Sequence, residues 1–545
     1  MKKTYNNRAG ISLGGLIIIL VLVTTVFVVR PGVNGRAKDV PSKEPVKSAA
    51  ATETKPASSA TGSGAQELAK QIDSTIEQSE LGYARWGVHV VSLASGATVY
   101  QRNADKLFTP ASNMKIYTTG VALEVLGPDF RWRTSVFGSA QPDGNGRVAG
   151  DLVLYGRGAP DFVSRSNDTE RGSLDKLVDA LYERGVRHVE GNVIGDASYF
   201  RGDPLGEGWQ WTDLQWYFAA EASALSINSN EVGVNLVPAE KGADAPAARA
   251  GETSDYVKVE NRMVVGKAGT RPTIGVHRGL SDNDIVLWGE IVPGSKGFGA
   301  RLSVHNPALW AARLFRDALK ARGITIGGEP ISRDSRVAPS QRFDPARGVE
   351  LAFVLSQPLS KIARTTNKES NNLYAELILR TMGRERASLA ALPEAPGRER
   401  GDDETGVAVV RTWLSRSGIS VERLALHDGS GLSRLNLVTP QSTTGLLTGL
   451  GKSTWSLVFK DSLPVAGRDG TLGGRLKTLT DRVSAKTGSL TYDNTLSGYI
   501  TAANGEVLVF SIMCNDQTRR KDSSALIDEI VKLLAGYPEA KVGSK

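Results

Sequence analysis

At 545 residues the chain is long enough for two to four domains and a large core, and its 40% apolar and 23% charged residues are ordinary for a globular protein. The net charge of +8 is not gathered into a dense Lys/Arg block interleaved with aromatics, which argues against nucleic-acid binding and suits work near anionic surfaces. The lone Cys514 excludes an internal disulfide and, in the apolar run from Val507, reads as a buried structural thiol.

Lys2, Lys3 and Arg8 form a basic tail, 1–10, ahead of an uncharged stretch from Ile11 to Val29. At about 1.5 Å per residue that stretch is roughly 28 Å long, the thickness of a bilayer's hydrocarbon layer. It reads as an N-terminal transmembrane signal-anchor with the basic end in the cytoplasm, holding the rest outside the cytoplasmic membrane. A cleaved signal peptide is the rival, although the run is long for one and no clear small-residue cleavage site follows. Residues 30–64, rich in Pro, Ala, Ser, Thr and Lys, read as a disordered linker.

Order is expected from residue 65. Leu68, Ile72 and Ile76 recur every four positions, as in an amphipathic helix, and strands follow at Trp86–Leu93 and Thr98–Gln101. A helical run after Ser112 stops at Gly127-Pro128. From 138 to 300, short apolar runs such as Asp151–Tyr155, Gly191–Ile194, Val232–Val237 and Ile285–Val292 alternate with turn residues, so this part reads as mainly β. Helical spacing returns at Ala308–Ala321 and Asn372–Met382, Gly383–Glu404 reads as an exposed loop, and two last strands meet at Asn504-Gly505 before a final helix. Strands near both ends can then form one antiparallel sheet flanked by helices: an α+β domain of residues 65–137 and 301–538, interrupted by an insertion at 138–300.

Three short strings carry chemistry: Ser112-Asn-Met-Lys115, Ser370-Asn-Asn372 and Lys486-Thr-Gly488. In the first, hydroxyl and amine lie one helical turn apart on the same face. Serine is a poor nucleophile without a base in reach, and Lys115 serves if burial or a nearby cation keeps it neutral. Ser370 offers a second hydroxyl to relay a proton, and the Asn372 amide can hold Lys115. Lys486 and Thr487 can anchor a substrate carboxylate, while Gly488 lets a backbone come close. Each string has decoys: Ser173-Leu-Asp-Lys176, which reads as the start of a surface helix, Ser226-Ile-Asn228, and the literal Ser281-Asp-Asn283. Ser370 is preferred because an apolar helix follows it, whereas a strand follows Ser281.

Taken together, the strings resemble the low-molecular-mass class C penicillin-binding proteins, the D-alanyl-D-alanine carboxypeptidase/endopeptidase family. Asn367–Glu376, Asp428-Gly-Ser-Gly-Leu-Ser-Arg434, Leu463–Leu472 and Gly195-Asp-Ala-Ser198 resemble it as well, and the gap from Ser112 to Ser370 is far longer than in a class A β-lactamase. The resemblance implies a penicillin-binding/β-lactamase-like transpeptidase fold and a serine D,D-peptidase in the periplasm or its equivalent, with peptidoglycan stem peptides as substrates and β-lactams as covalent inhibitors. It implies an acyl-enzyme on Ser112 and an oxyanion hole made by the N–H groups of Ser112 and Ser489. It also implies a side-chain recognition pocket of Asp196, Arg434 and Thr491. No metal or other cofactor is expected. A β-lactamase or esterase of the same fold, and a catalytically silent β-lactam sensor or cell-wall scaffold, are the alternatives.

Other signals count for less. Gly445 to Gly451-Lys-Ser453 has the wrong spacing for a phosphate loop, and the five histidines form no zinc-peptidase cluster. Trp209, Trp211 and Trp216 read as core or junction packing rather than a glycan platform.

Overall fold

The computed structural model describes residues 63–164, 172–238, 246–250, 256–392, 399–518 and 523–537. The tail at 1–10, the anchor at 11–29 and nearly all of the linker at 30–64 lie outside these residues. Among the described residues no helix is long and apolar enough to cross a membrane.

Both ends of the chain build one five-stranded antiparallel sheet, in the order Val483–Leu490, Asp493–Thr501, Val507–Asn515, Arg85–Ser92, Thr98–Arg102. Arg85 pairs with Asn515 and Ser92 with Leu508, so the earliest and latest strands are neighbours. Alternation along the strands sends side chains to two cores. Trp86, Val88, Val90, Leu508, Phe510 and Ile512 face the helices Ser63–Glu77 and Ser524–Ala535, where Ile72, Ile76, Ile530 and Leu534 are fully buried. Each such side chain is worth about 2 kcal/mol of burial. Val91, Val509 and Met513 face the other core, shared with the helices Met114–Leu126 and Pro440–Lys452. Cys514 is buried in its strand.

The segment between the two halves is larger and more mixed than a β insertion at 138–300. Its five-stranded sheet runs Pro330–Arg333, Val193–Asp196, Leu152–Tyr155, Arg133–Gly138, Val349–Leu355. The first three strands are parallel, and the last two pair antiparallel. The outer strands of this sheet thus come from stretches assigned above to the flanking domain, and the helix Pro307–Ala321 packs on Val193–Asp196. A shift in composition does not mark this border, because long-range strand pairing draws it. Three three-stranded sheets complete the described part of the segment: Phe298–Ser303, Glu231–Val237, Ala247–Ala250; Lys258–Val265, Asp284–Ile291, Thr273–Arg278; and the short Thr325–Ile326, His188–Val189, Arg147–Val148.

The stretch Gly383–Glu404 is not simply a loop. The helix Asn372–Glu385 passes Gly383, and the helix Asp402–Arg416 begins inside the stretch. A Cβ on Gly383 would lie 1.9 Å from the Asp402 carbonyl oxygen, so this glycine permits a close helix contact rather than stopping a helix. The glycines 445, 449 and 451 lie within the helix Pro440–Lys452, a setting that no phosphate loop has.

Candidate active site

Ser112 occupies a single 3₁₀ turn, Ala111–Asn113, that runs straight into the helix Met114–Leu126. The turn is tied to the outer sheet: Asn113 Nδ2 donates to Ser497 Oγ at 2.7 Å, and Thr495 Oγ1 donates to the Pro110 carbonyl at 2.9 Å. Ala111 has φ +47° and Ser370 φ +59°, left-handed conformations that cost an ordinary residue about 1–3 kcal/mol. The Ser370 string therefore begins at, and the Ser112 string directly follows, a locally unfavourable backbone held by its surroundings.

Lys115 lies one turn beyond Ser112 and is fully buried. Its Nζ is 3.0 Å from Ser112 Oγ, 2.6 Å from Asn372 Oδ1 and 2.7 Å from the Ser430 carbonyl oxygen. Burial lowers its pKa to about 7, against the opposing pull of the Asp428 and Glu376 carboxylates. Two carbonyl-type acceptors take the two N–H bonds of a neutral amine, which leaves its lone pair for the Ser112 hydroxyl.

Ser370 sits in the tight turn between the helices Leu359–Lys368 and Asn372–Glu385, the second capped by Asn371, which accepts from Tyr374 N at 3.0 Å. Asn372 Nδ2 donates to the Phe218 carbonyl at 2.8 Å, so this amide joins the inserted segment to the nucleophile's helix. Lys486, in the strand Val483–Leu490, donates to Ser370 Oγ at 3.0 Å and to the Thr487 carbonyl at 2.9 Å. Burial first, and then the neighbouring Lys115 charge, hold its pKa well below the ordinary lysine value. Thr487 shares a hydroxyl contact of 2.7 Å with Thr471, and Asp469 binds Lys368 at 2.7 Å. A Cβ on Gly488 would stand 3.0 Å from Ser112 N and 2.8 Å from the Pro110 carbonyl oxygen. The bare backbone is what lets this strand lie against the serine turn.

These groups open onto a cleft of about 490 Å³, lined by Ser112, Ser370, Asn372, Ser489, Arg434 and Thr491 from the outer domain and by Gln210, Asp213, Tyr217 and Phe218 from the inserted segment. Ser489 Oγ donates to Asn494 Oδ1 at 2.7 Å. Arg434 Nη1 donates to the Thr491 carbonyl at 3.2 Å and pairs with Asp493 at 3.3 Å.

Asp196 does not line this cleft. It is fully buried in the inner sheet, accepts from Ser198 N at 2.9 Å and Ser198 Oγ at 2.6 Å, and pairs with Arg333 at 3.4 Å. A carboxylate satisfied in this way has no face to offer a substrate. The acids that do line the cleft are Glu231, Glu369 and Asp213. Glu231 is paired with Arg301, and the one near the Arg434 charge is Asp213, which the sequence reading missed. Burial raises its pKa, and the Arg434 charge opposes the rise. The signal available was its place among the tryptophans. Trp209 Nε1 donates to Asp428 Oδ2 at 3.0 Å, which is junction packing as expected, and Trp216 bridges Leu302. Trp211 departs from that expectation, being 70% exposed. The decoys lie elsewhere. Ser173 starts a helix, and Asn283 accepts from His305 N at 2.8 Å beside a strand of the insertion.

A family profile for the D-Ala-D-Ala carboxypeptidase 3 (S13) family matches residues 68–537. The D-alanyl-D-alanine carboxypeptidase of Actinomadura sp. (strain R39) is 33% identical over 491 residues, 88% of this chain and 86% of that one. The crystal structure of penicillin binding protein 4 (dacB) from Haemophilus influenzae superposes with a TM-score of 0.72 at 25% identity, covering 85% of this chain and 98% of its own. The same Haemophilus protein complexed with a β-lactam superposes at 0.67 and 23% identity, covering 86% of this chain and 98% of its own.

Proposed function

The chain belongs to the D-Ala-D-Ala carboxypeptidase 3 (S13) family, and from that membership we propose how its cleft performs serine D,D-peptidase chemistry. The enzyme is a serine-type D-Ala-D-Ala carboxypeptidase of peptidoglycan. Ser112 gives its proton to the Lys115 lone pair while Oγ attacks the carbonyl of the penultimate D-alanine. The N–H groups of Ser112 and Ser489 receive the oxyanion, a contribution of about 3 kcal/mol for a preorganised donor. Ser370, held by Lys486, passes its proton to the departing amine and is reprotonated by the proton that Lys115 took from Ser112, which returns Lys115 to its neutral form; Lys486 with Thr487 holds the terminal carboxylate. Water then hydrolyses the ester on Ser112. A β-lactam enters the same first step and stays as a covalent adduct. The observation that carries this reading is the Lys115 amine, 3.0 Å from Ser112 Oγ with its two N–H bonds already engaged.

Leaving groups larger than D-alanine use the same acylation step, so D-Ala cross-links are substrates too. Asp213 and Arg434, of opposite charge on the cleft wall, suit a side chain ending in an amino-carboxylate, as in diaminopimelate. Asp213 takes the place expected for Asp196. The test supplies purified protein with fluorescent penicillin and with pentapeptides carrying either lysine or diaminopimelate. D-alanine release, a stable adduct mapped to the Ser112 peptide and a preference for diaminopimelate are expected. Arg434→Ala lowers that preference about tenfold. An unchanged preference would remove Arg434 from recognition, an adduct lost in seconds would indicate a β-lactamase, and binding without D-alanine release a silent sensor.

The segment Ile11–Val29, with basic residues ahead of it, is proposed to anchor the enzyme so that its cleft faces the cell wall outside the cytoplasmic membrane. Alkaline extraction of membranes leaves full-length protein in the pellet; its release as a shortened chain would favour cleavage of a signal peptide.

A further inference from the structure

Glu376 lies on the helix Asn372–Glu385, one turn beyond Asn372, and its side chain is buried away from the cleft. Its Oε1 accepts two backbone hydrogen bonds, from Gly429 N at 3.0 Å and from Ser430 N at 2.8 Å. These N–H groups belong to the turn Asp428–Gly431, whose Ser430 carbonyl accepts from Lys115 at 2.7 Å and whose Gly429 carbonyl accepts from Thr118 Oγ1 at 2.7 Å. The turn thus presents two carbonyls to the nucleophile's helix and two amides to Glu376. Glu376 Oε2 is buried with no hydrogen-bond partner among the described residues, and Arg380 one turn on is 1% exposed.

We propose that Glu376 is a positioning residue for the acylation step: it clamps the Gly429 and Ser430 amides of the turn whose Ser430 carbonyl orients the Lys115 amine, and its charge acts on that amine across the turn. This rests on the reading of Ser112 and Lys115 given above. The clamp explains why a carboxyl group is buried here at all, since an aliphatic side chain would leave both amides without acceptors. The charged groups facing it are Lys115 across the turn, Asp428 in the turn and Arg380 on its own helix, which pairs at 3.3 Å with Asp403; Lys486 lies beyond Lys115. Burial and the Asp428 charge push the Glu376 carboxyl up to about 8, with Arg380 opposing, while Lys115 sits at about 7. The Glu376 charge is among those that favour the protonated form of Lys115. A carboxylate at 376 strengthens the hold of Lys115 on its proton, and an amide does not.

The test is the pH profile of the second-order rate of acylation by fluorescent penicillin, measured on the full chain for wild type, Glu376→Gln and Glu376→Ala, with thermal melts as a check on folding. Glutamine keeps an oxygen for both amides and removes the charge. Its acid limb is expected to move to lower pH by about half a unit. Alanine removes the clamp as well, and the rate at the plateau is expected to fall about tenfold or more. A residue that only stabilises the fold would lower the melting temperature without moving the limb. An unshifted limb in Glu376→Gln, or an undiminished plateau in folded Glu376→Ala, overturns the proposal. If the alanine variant does not fold, the glutamine limb alone decides. Labelling of the wild type is measured first; its absence overturns the Ser112 reading and this proposal together, whereas a labelled wild type with an unmoved Glu376→Gln limb overturns this one alone.

Discussion

Ser112→Ala abolishes covalent labelling by penicillin and lowers D-alanine release from pentapeptide substrates by roughly 10⁴ to 10⁶-fold. The serine is the atom donor of the acyl-enzyme, so no neighbouring group replaces it. Ser370 has its own hydroxyl in the cleft, but its partner is Lys486 rather than Lys115. Residual turnover would come from the oxyanion donors and from bound substrate, which still favour attack by water. The fold tolerates the change. Among the described residues Ser112 Oγ has one side-chain partner, Lys115, and the turn that carries it is fixed instead by Asn113 on Ser497 and by Thr495 on Pro110. The melting temperature should therefore stay close to that of the wild type, and binding of muropeptides should persist. Gel fluorescence and quantified D-alanine are the measurements. An alanine variant that still labels covalently would show that another nucleophile is at work.

The three strings were readable because helical and strand periodicity places residues close in sequence on one face, and because their order along the chain is itself informative. What joins them was not readable. The contact of Lys115 with the Ser430 carbonyl bridges residues far apart in sequence and involves a backbone atom that any residue could supply. The left-handed backbone of Ala111 and Ser370 leaves no mark in their side chains. Asp196 misled because a short string matches locally whether its carboxylate faces a cleft or a sheet interior. Its partner Arg333 lies on a strand that pairs only once the chain has folded back. Asp213 carries no motif of its own and acquires meaning from Arg434 across the cleft. The border of the inserted segment was misplaced for a related reason: Arg133–Gly138 and Val349–Leu355 pair with each other across the whole insertion.

Lys115→Met is expected to lower the acylation rate by about 10²–10⁴-fold, the usual worth of a positioned general base, and to erase the acid limb of its pH profile. In the wild type the rate rises with pH through about 7, where Lys115 loses its proton and can accept the one on Ser112. A methionine neither titrates nor accepts, so what activity remains should be nearly flat across that range. The same substitution carries a signed effect on stability. The folded pKa of Lys115 is depressed from 10.5 to about 7, so between these values the unfolded chain binds the extra proton and stability rises with pH. That gain is complete above the unfolded pKa and is lost as pH falls through about 7. Lys115→Met removes this share of the slope and leaves the share due to Lys486, whose pKa is also held down by burial. Two contributions oppose each other near neutral pH: methionine relieves the cost of burying an amine, yet it strands Asn372 Oδ1 and the Ser430 carbonyl without their donor. The slope of stability against pH is therefore the clean readout, and melts at about pH 7 and pH 9.5 measure it. A variant with the wild-type slope and a wild-type acid limb would show that Lys115 is neither neutral at work nor the base, and the proton from Ser112 would need another acceptor.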